Sequence, residues 1–99
     1  MRIIWKFPLK HQPEPQTIKM PFDARLLHIG SQNDVICIWT SVPLNPKMAL
    51  VSRTFQVVAT GQEYDSDDGL IYLGTVLQGQ YVWHIFENEE AWRKTKTQS

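Results

Sequence analysis

Three histidines, one cysteine and a cluster of carboxylates are the residues of this chain with chemistry to offer, and their spacing decides which chemistry. His11, His28 and His84 have no histidine or cysteine neighbour at metal-ligand spacing, and one cysteine cannot supply a soft ligand set, so no metal centre is expected. Cys37 lies in the apolar run Val35-Ile36-Cys37-Ile38-Trp39, where a small buried thiol is the expected role. With no second cysteine there is no internal disulfide, which suits a reducing cytosol. Asp65, Asp67 and Asp68, followed by Gly69 in the acidic loop that also holds Glu63, put hard oxygen ligands of the kind calcium takes into one turn. The closing glutamate of a calcium-binding helix-loop-helix cassette is missing, and a strand follows instead of a helix. A solvated loop is therefore expected, able to repel acidic surfaces or attract a basic partner.

No phosphate-loop, nucleophile-elbow or dinucleotide pattern is present, so no catalytic residue and no cofactor is expected. Within Trp83-His84-Ile85-Phe86-Glu87, alternation sets Trp83, Ile85 and Glu87 on one face and His84 with Val82 and Phe86 on the other. A histidine in that company is expected to be a packed, hydrogen-bonded side chain rather than a catalytic base. Trp5, Trp39 and Trp83 each fall in a strand, and three indoles are hard to bury fully in so small a core. Some are expected to line a groove, an interface or a subunit contact; partial burial at the edges of one core is the alternative. The binding candidates are thus Trp5, Trp39, Trp83, His84 and Arg53. Base stacking on these rings would need a basic groove, but Arg25, Lys47 and Arg53 are scattered and ten basic residues balance ten acidic ones. Nucleic acid is not expected to be the principal ligand.

The elements that must position these side chains are short alternating runs broken by proline, glycine and acidic turns. Ile3, Trp5 and Phe7 share one face of a first strand stopped at Pro8. A connection over residues 10–15 with two prolines leads to a short strand ending at Pro21, whose expected partner is the first strand. Residues 24–42 read as one hairpin around Gln32-Asn33-Asp34. Its second strand is apolar on both faces, as expected of a strand covered on both sides or by a partner chain. After a proline-rich loop, residues 50–60 form a long strand, and residues 70–77 and 81–86 form a hairpin over Gln78-Gly79-Gln80. The predicted fold is all-β: a small antiparallel sandwich or curled open barrel of about seven strands, with at most one short C-terminal helix. Residues 1–87 form the single domain, and residues 88–99 a short helix or flexible tail. Trp5, Phe7, Leu27, Ile29, Ile36, Ile38, Phe55, Val57, Tyr72 and Ile85 are expected to face largely inward or into a subunit contact. The charged N-terminal stretch is not expected to be a signal peptide, and no run reaches the length of a membrane span.

Ile4-Trp5-Lys6, Met20-Pro21 with Ala24 and Leu27, and Trp39 followed by Val42-Pro43 carry a resemblance that continues through the chain. Arg53-Thr54-Phe55, Thr60-Gly61, Tyr72-Leu73-Gly74-Thr75 and Trp83-His84-Ile85-Phe86-Glu87 extend it nearly to the tail. In these motifs the chain resembles a family of small uncharacterised proteins found in bacteriophage and prophage genomes. The resemblance implies no activity, only a context: a phage accessory protein in the cytoplasm of an infected bacterium. Together with neutral charge and surplus aromatics, it leads to the expectation of a noncatalytic protein that binds a host or phage protein, inhibiting or redirecting it. A nucleic-acid-associated protein and a small-ligand or nucleotide-binding β-domain are the alternatives. No membrane partner is expected, whereas self-association as a dimer is, through a sheet edge or the second apolar face of residues 35–42.

Overall fold

Period-two alternation, reinforced by β-branched and aromatic residues, makes seven strands of the greater part of the described chain. In the computed structural model, which describes residues 1–44, 49–66 and 69–89, these are β1 (Arg2–Leu9), β2 (Gln16–Pro21), β3 (Arg25–Gln32), β4 (Val35–Pro43), β5 (Leu50–Ala59), β6 (Leu70–Gln78) and β7 (Tyr81–Asn88). Every pairing between them is antiparallel. They form a three-stranded sheet, β1-β4-β3, and a four-stranded sheet, β2-β5-β7-β6. The sheets face each other across a shared core, so of the two predicted architectures the molecule is the sandwich. Asp67, Asp68, part of the proline-rich loop and the predicted helix or tail beyond residue 89 lie outside the described residues; Asn88 itself ends β7.

The expected pairing of β2 with β1 does not occur. β1 lies against β4, with Phe7 opposite Ile38, and β2 lies against β5, with Met20 opposite Val51. Alternation marks a strand but carries no address for its partner, and Pro13 and Pro15 rule out the tight turn that would fold β2 back onto β1. The two hairpins do follow their turn residues. Asn33 and Asp34 both adopt positive φ, 51° and 63°, and join Gln32 to its partner Val35 in the primed-turn geometry these residues tolerate. Between β6 and β7 the loop is shorter than predicted: Gln78 pairs with Tyr81, leaving two loop residues led by Gly79 at φ 57°.

The core joins Leu9, Ile36 and Ile38 of one sheet to Met20, Phe55, Val57, Val76 and Ile85 of the other. Phe7 and Ile29 pack against it in part, while three residues expected inside or at a subunit contact lie outside the core and are exposed in the single chain: Trp5, Leu27 and Tyr72. Bulges explain two of them. The register of β3 shifts between Leu26 and His28, which keeps Leu26 opposite buried Thr40 and expels Leu27. A second shift in β6, between Tyr72 and Gly74, holds Tyr72 on the outer face opposite Phe86. One extra residue in a period-two pattern reverses the faces that follow it. Trp5 keeps its inward parity, but the face opens toward the start of β1, beyond the buried Leu9 and half-buried Phe7.

Both sheets grip the turn that links them. Arg2 of β1 donates to Asp23 Oδ2 and to the Asp23 carbonyl, each at 2.7 Å, and to the Ser41 hydroxyl and carbonyl at the same distance. The Arg2 hydrogen bond holds the Asp23 carboxyl below its ordinary range, overcoming the opposing desolvation. From the other sheet, Arg53 donates to the Ala24 carbonyl at 3.0 Å and clasps Glu87 through two bonds of 2.6 and 2.7 Å.

Candidate functional site

The predicted binding residues do not assemble into one surface. Trp5 stands at the open end of the three-stranded sheet's inner face, edge-on to Phe7 at 6.2 Å. Trp39 is on the outer face of that sheet, 5.7 Å from the His28 ring. A Cβ at Gly30 would come within 3.0 Å of His28 Nε2, so glycine there is what lets the imidazole lie across the strand. With His28 over Trp39, and Cys37 only 2% exposed, much of the second apolar face of β4 is covered from within one chain. Trp83 faces the core of the sandwich, with His11 4.9 Å away and Tyr81 stacked at 5.9 Å; its buried Nε1 has no hydrogen-bond partner among the described residues. Arg53 points inward too. Its side chain is 12% exposed and that of Glu87 8%, which makes the pair an internal ionic clasp rather than a surface for a ligand.

His84 is different: it anchors a built site on the outer face of the four-stranded sheet. As alternation required, it shares that face with Val82 and Phe86 and lies opposite Val58 and Thr75. The loop after β5 curls back over the face, bringing the Thr60 hydroxyl within 2.7 Å of His84 Nε2. The Thr75 hydroxyl lies 3.1 Å from Nδ1 and is itself bonded to the Tyr72 hydroxyl. The Thr60 hydroxyl also lies 3.4 Å from the Val82 carbonyl, so Nε2 and Nδ1 each meet a threonine hydroxyl, and which partner donates follows from the imidazole tautomer. Both imidazole nitrogens are thereby used within the fold. The arrangement ties the loop after β5 to β6 and β7 through one side chain and stiffens the surface they share.

Beside His84 the rings of Tyr64, Phe86 and Tyr72 form a continuous aromatic shelf. Tyr64 stacks on Phe86 at 5.1 Å, and Tyr72 meets Phe86 edge-on at 5.7 Å. Tyr64 also divides two hollows. One, of about 290 Å³, is lined by Val58, Thr60, His84 and Phe86; the other, of about 480 Å³, by Pro13, Pro15, Gln56 and the carboxylates Glu14, Glu63 and Asp65. Neither Tyr64 nor Gln56 stands out in the sequence, because a loop has no period and the loop is what buries one and stacks the other. Among the described residues no group of three or more His, Cys, Asp or Glu is placed to hold a metal ion. No helix among them is long and apolar enough to cross a membrane.

A family model described as "Domain of unknown function (DUF7352)" matches residues 1–95. No curated protein and no solved structure matches the chain.

Proposed function

The chain belongs to the DUF7352 family, a domain of unknown function, and on the strength of its four-stranded sheet we propose that it is a noncatalytic protein-interaction module. The observation that carries this reading is the aromatic shelf: Tyr64 and Tyr72 are 44% and 56% exposed while held against Phe86. Rings already fixed in place lose little freedom on binding, and aromatic anchors carry much of the energy of protein interfaces. His84, with its hydrogen bonds internally satisfied, supports the shelf without competing for the partner. The resemblance to phage and prophage proteins points to a host or phage protein as that partner, met in the cytoplasm of an infected bacterium and inhibited or redirected there.

Capture from infected bacterial lysate, with and without nuclease, tests the reading. Wild-type protein is expected to retain a protein that the Tyr64→Ser/Tyr72→Ser variant releases, with affinity lowered about 30-fold if the two rings together supply about 2 kcal/mol. Equal retention by a variant with an unchanged unfolding midpoint would sink the proposal. Retention abolished by nuclease would favour the nucleic-acid alternative.

Self-association belongs to the same reading. β1 is an outer strand of its sheet, and Ile3 and Ile4 on it are exposed, a combination that invites pairing with the same edge of a second copy. Light scattering at high micromolar concentration is expected to return twice the 11.5 kDa chain mass; the monomer mass would remove the dimer.

A further inference from the structure

The hollow on the far side of Tyr64 contains a side chain that makes no hydrogen bond among the described residues. Gln56, on β5 opposite Phe86, is 9% exposed. Its side-chain amide makes no hydrogen bond among the described residues, and it lines the 480 Å³ groove. Among the described residues the fully enclosed polar side-chain atoms without partners are Thr40 Oγ1 and Trp83 Nε1; the Gln56 amide is not one of them, so the little of it still exposed opens toward the groove. An amide confined to one narrow opening, with no partner among the described residues, exchanges its hydrogen bonds only with water or with a ligand seated in that opening. Three carboxylates, Glu14, Glu63 and Asp65, line the same hollow, and none forms an ion pair among the described residues. The chain as a whole is neutral, so this acidity is local to the groove. Pro13, Pro15 and the Tyr64 ring complete the lining with flat apolar surface.

We propose that this groove seats the guanidinium of an arginine side chain carried on an extended segment of the partner protein. The assignment rests on the interaction-module reading and names the chemistry of its partner. An ammonium is a compact point charge, whereas a guanidinium presents five donors in one plane, matched to acceptors distributed around a hollow, and stacks on an aromatic face. The Gln56 carbonyl accepts one N–H, carboxylates of the rim accept others, and Tyr64 and the prolines cover the flat surface. Phosphate chemistry is disfavoured here by the same carboxylates. The carboxylates are also not gathered closely enough to hold a single metal ion.

The probe is a blocked five-residue peptide, Val-Thr-Arg-Val-Thr, compared with the same peptide carrying citrulline, the neutral isostere of arginine. Titration followed by NMR is expected to shift the Gln56 side-chain amide and the backbone amides of residues 63–65. The Gln56→Leu variant should weaken binding about tenfold, the loss of one hydrogen bond to a charged group, and the citrulline peptide by at least as much, because it gives up the charge and donors together. Gln56→Leu should at the same time keep or raise the unfolding midpoint, because the amide makes no hydrogen bond among the described residues and leucine buries more apolar surface; a merely structural glutamine would lower it. Equal binding of the two peptides, shifts confined to another surface, or a destabilised Gln56→Leu that binds normally would each overturn the assignment. The lysate capture separates the two proposals. Release of the partner by Glu63→Gln/Asp65→Asn supports the arginine site, whereas retention by that variant alongside release by Tyr64→Ser/Tyr72→Ser overturns the arginine site and leaves the interaction module standing.

Discussion

Replacing Glu87 by alanine is expected to lower the unfolding free energy by about 3–5 kcal/mol, the cost of leaving a buried charge without its partner. Arg53 and Glu87 are almost enclosed, at 12% and 8% side-chain exposure, and meet through two parallel bonds of 2.6 and 2.7 Å. Solvent therefore screens them far less than it screens a surface pair. Arg53 also holds the Ala24 carbonyl, so losing Glu87 loosens the turn between the sheets as well as the centre of the four-stranded one. Denaturant unfolding gives the measurement. A loss below about 1 kcal/mol, the range of exposed ion pairs, would show the clasp to be solvated. The double replacement Arg53→Met/Glu87→Leu should recover much of the loss, since an apolar pair avoids the desolvation cost altogether. This pair is not a binding feature, and Arg53, a basic residue in an alternating strand, could not disclose its partner from local pattern.

Phe55→Ala is the second large effect, expected at about 3–5 kcal/mol because it removes a buried ring and leaves a cavity that a two-sheet core closes only in part. Phe55 is fully buried and is the largest of the fully buried side chains. It is opposite Gln16 on β2 and Glu87 on β7, at the middle of the four-stranded sheet. For a domain of about 100 residues each kcal/mol moves the thermal midpoint by about 4–8 °C, so the variant should melt far below the wild type. A shift of only a degree or two would mean that the neighbouring side chains refill the space, contrary to the tight packing of this core. The exposed Leu27 supplies the contrast: Leu27→Ser should stay within about 0.5 kcal/mol of wild type, the ordinary range for surface positions.

Where a property of this protein depends on neighbours in the chain, it was legible in the residues themselves. Ile36 and Ile38 alternate with Cys37, and both isoleucines are fully buried. Val82, His84 and Phe86 share a face because a strand permits nothing else. Asn33-Asp34 and Gly79 mark the two hairpins because few residues adopt positive φ at low cost. Seven strands and an all-β fold follow from these local rules.

Partners, bulges and loop placement obey another physics. A strand's hydrogen-bonding edges are alike whichever strand approaches, so the choice of β5 rather than β1 for β2 is made by burial summed over the whole sandwich. The bulges beside Leu27 and Leu73 arise where twist and packing demand an extra residue, and they turned Leu27 and Tyr72 from predicted core into surface. The same long-range packing brings Thr60 and Tyr64 from a loop, Glu14 from a connection between the sheets and Gln56 from β5 around His84 and Phe86. The sequence by itself determined the strands, their faces and their turns, because those depend on contacts between near neighbours. Only the tertiary structure decided which side chains meet, because that depends on contacts between residues far apart in the chain.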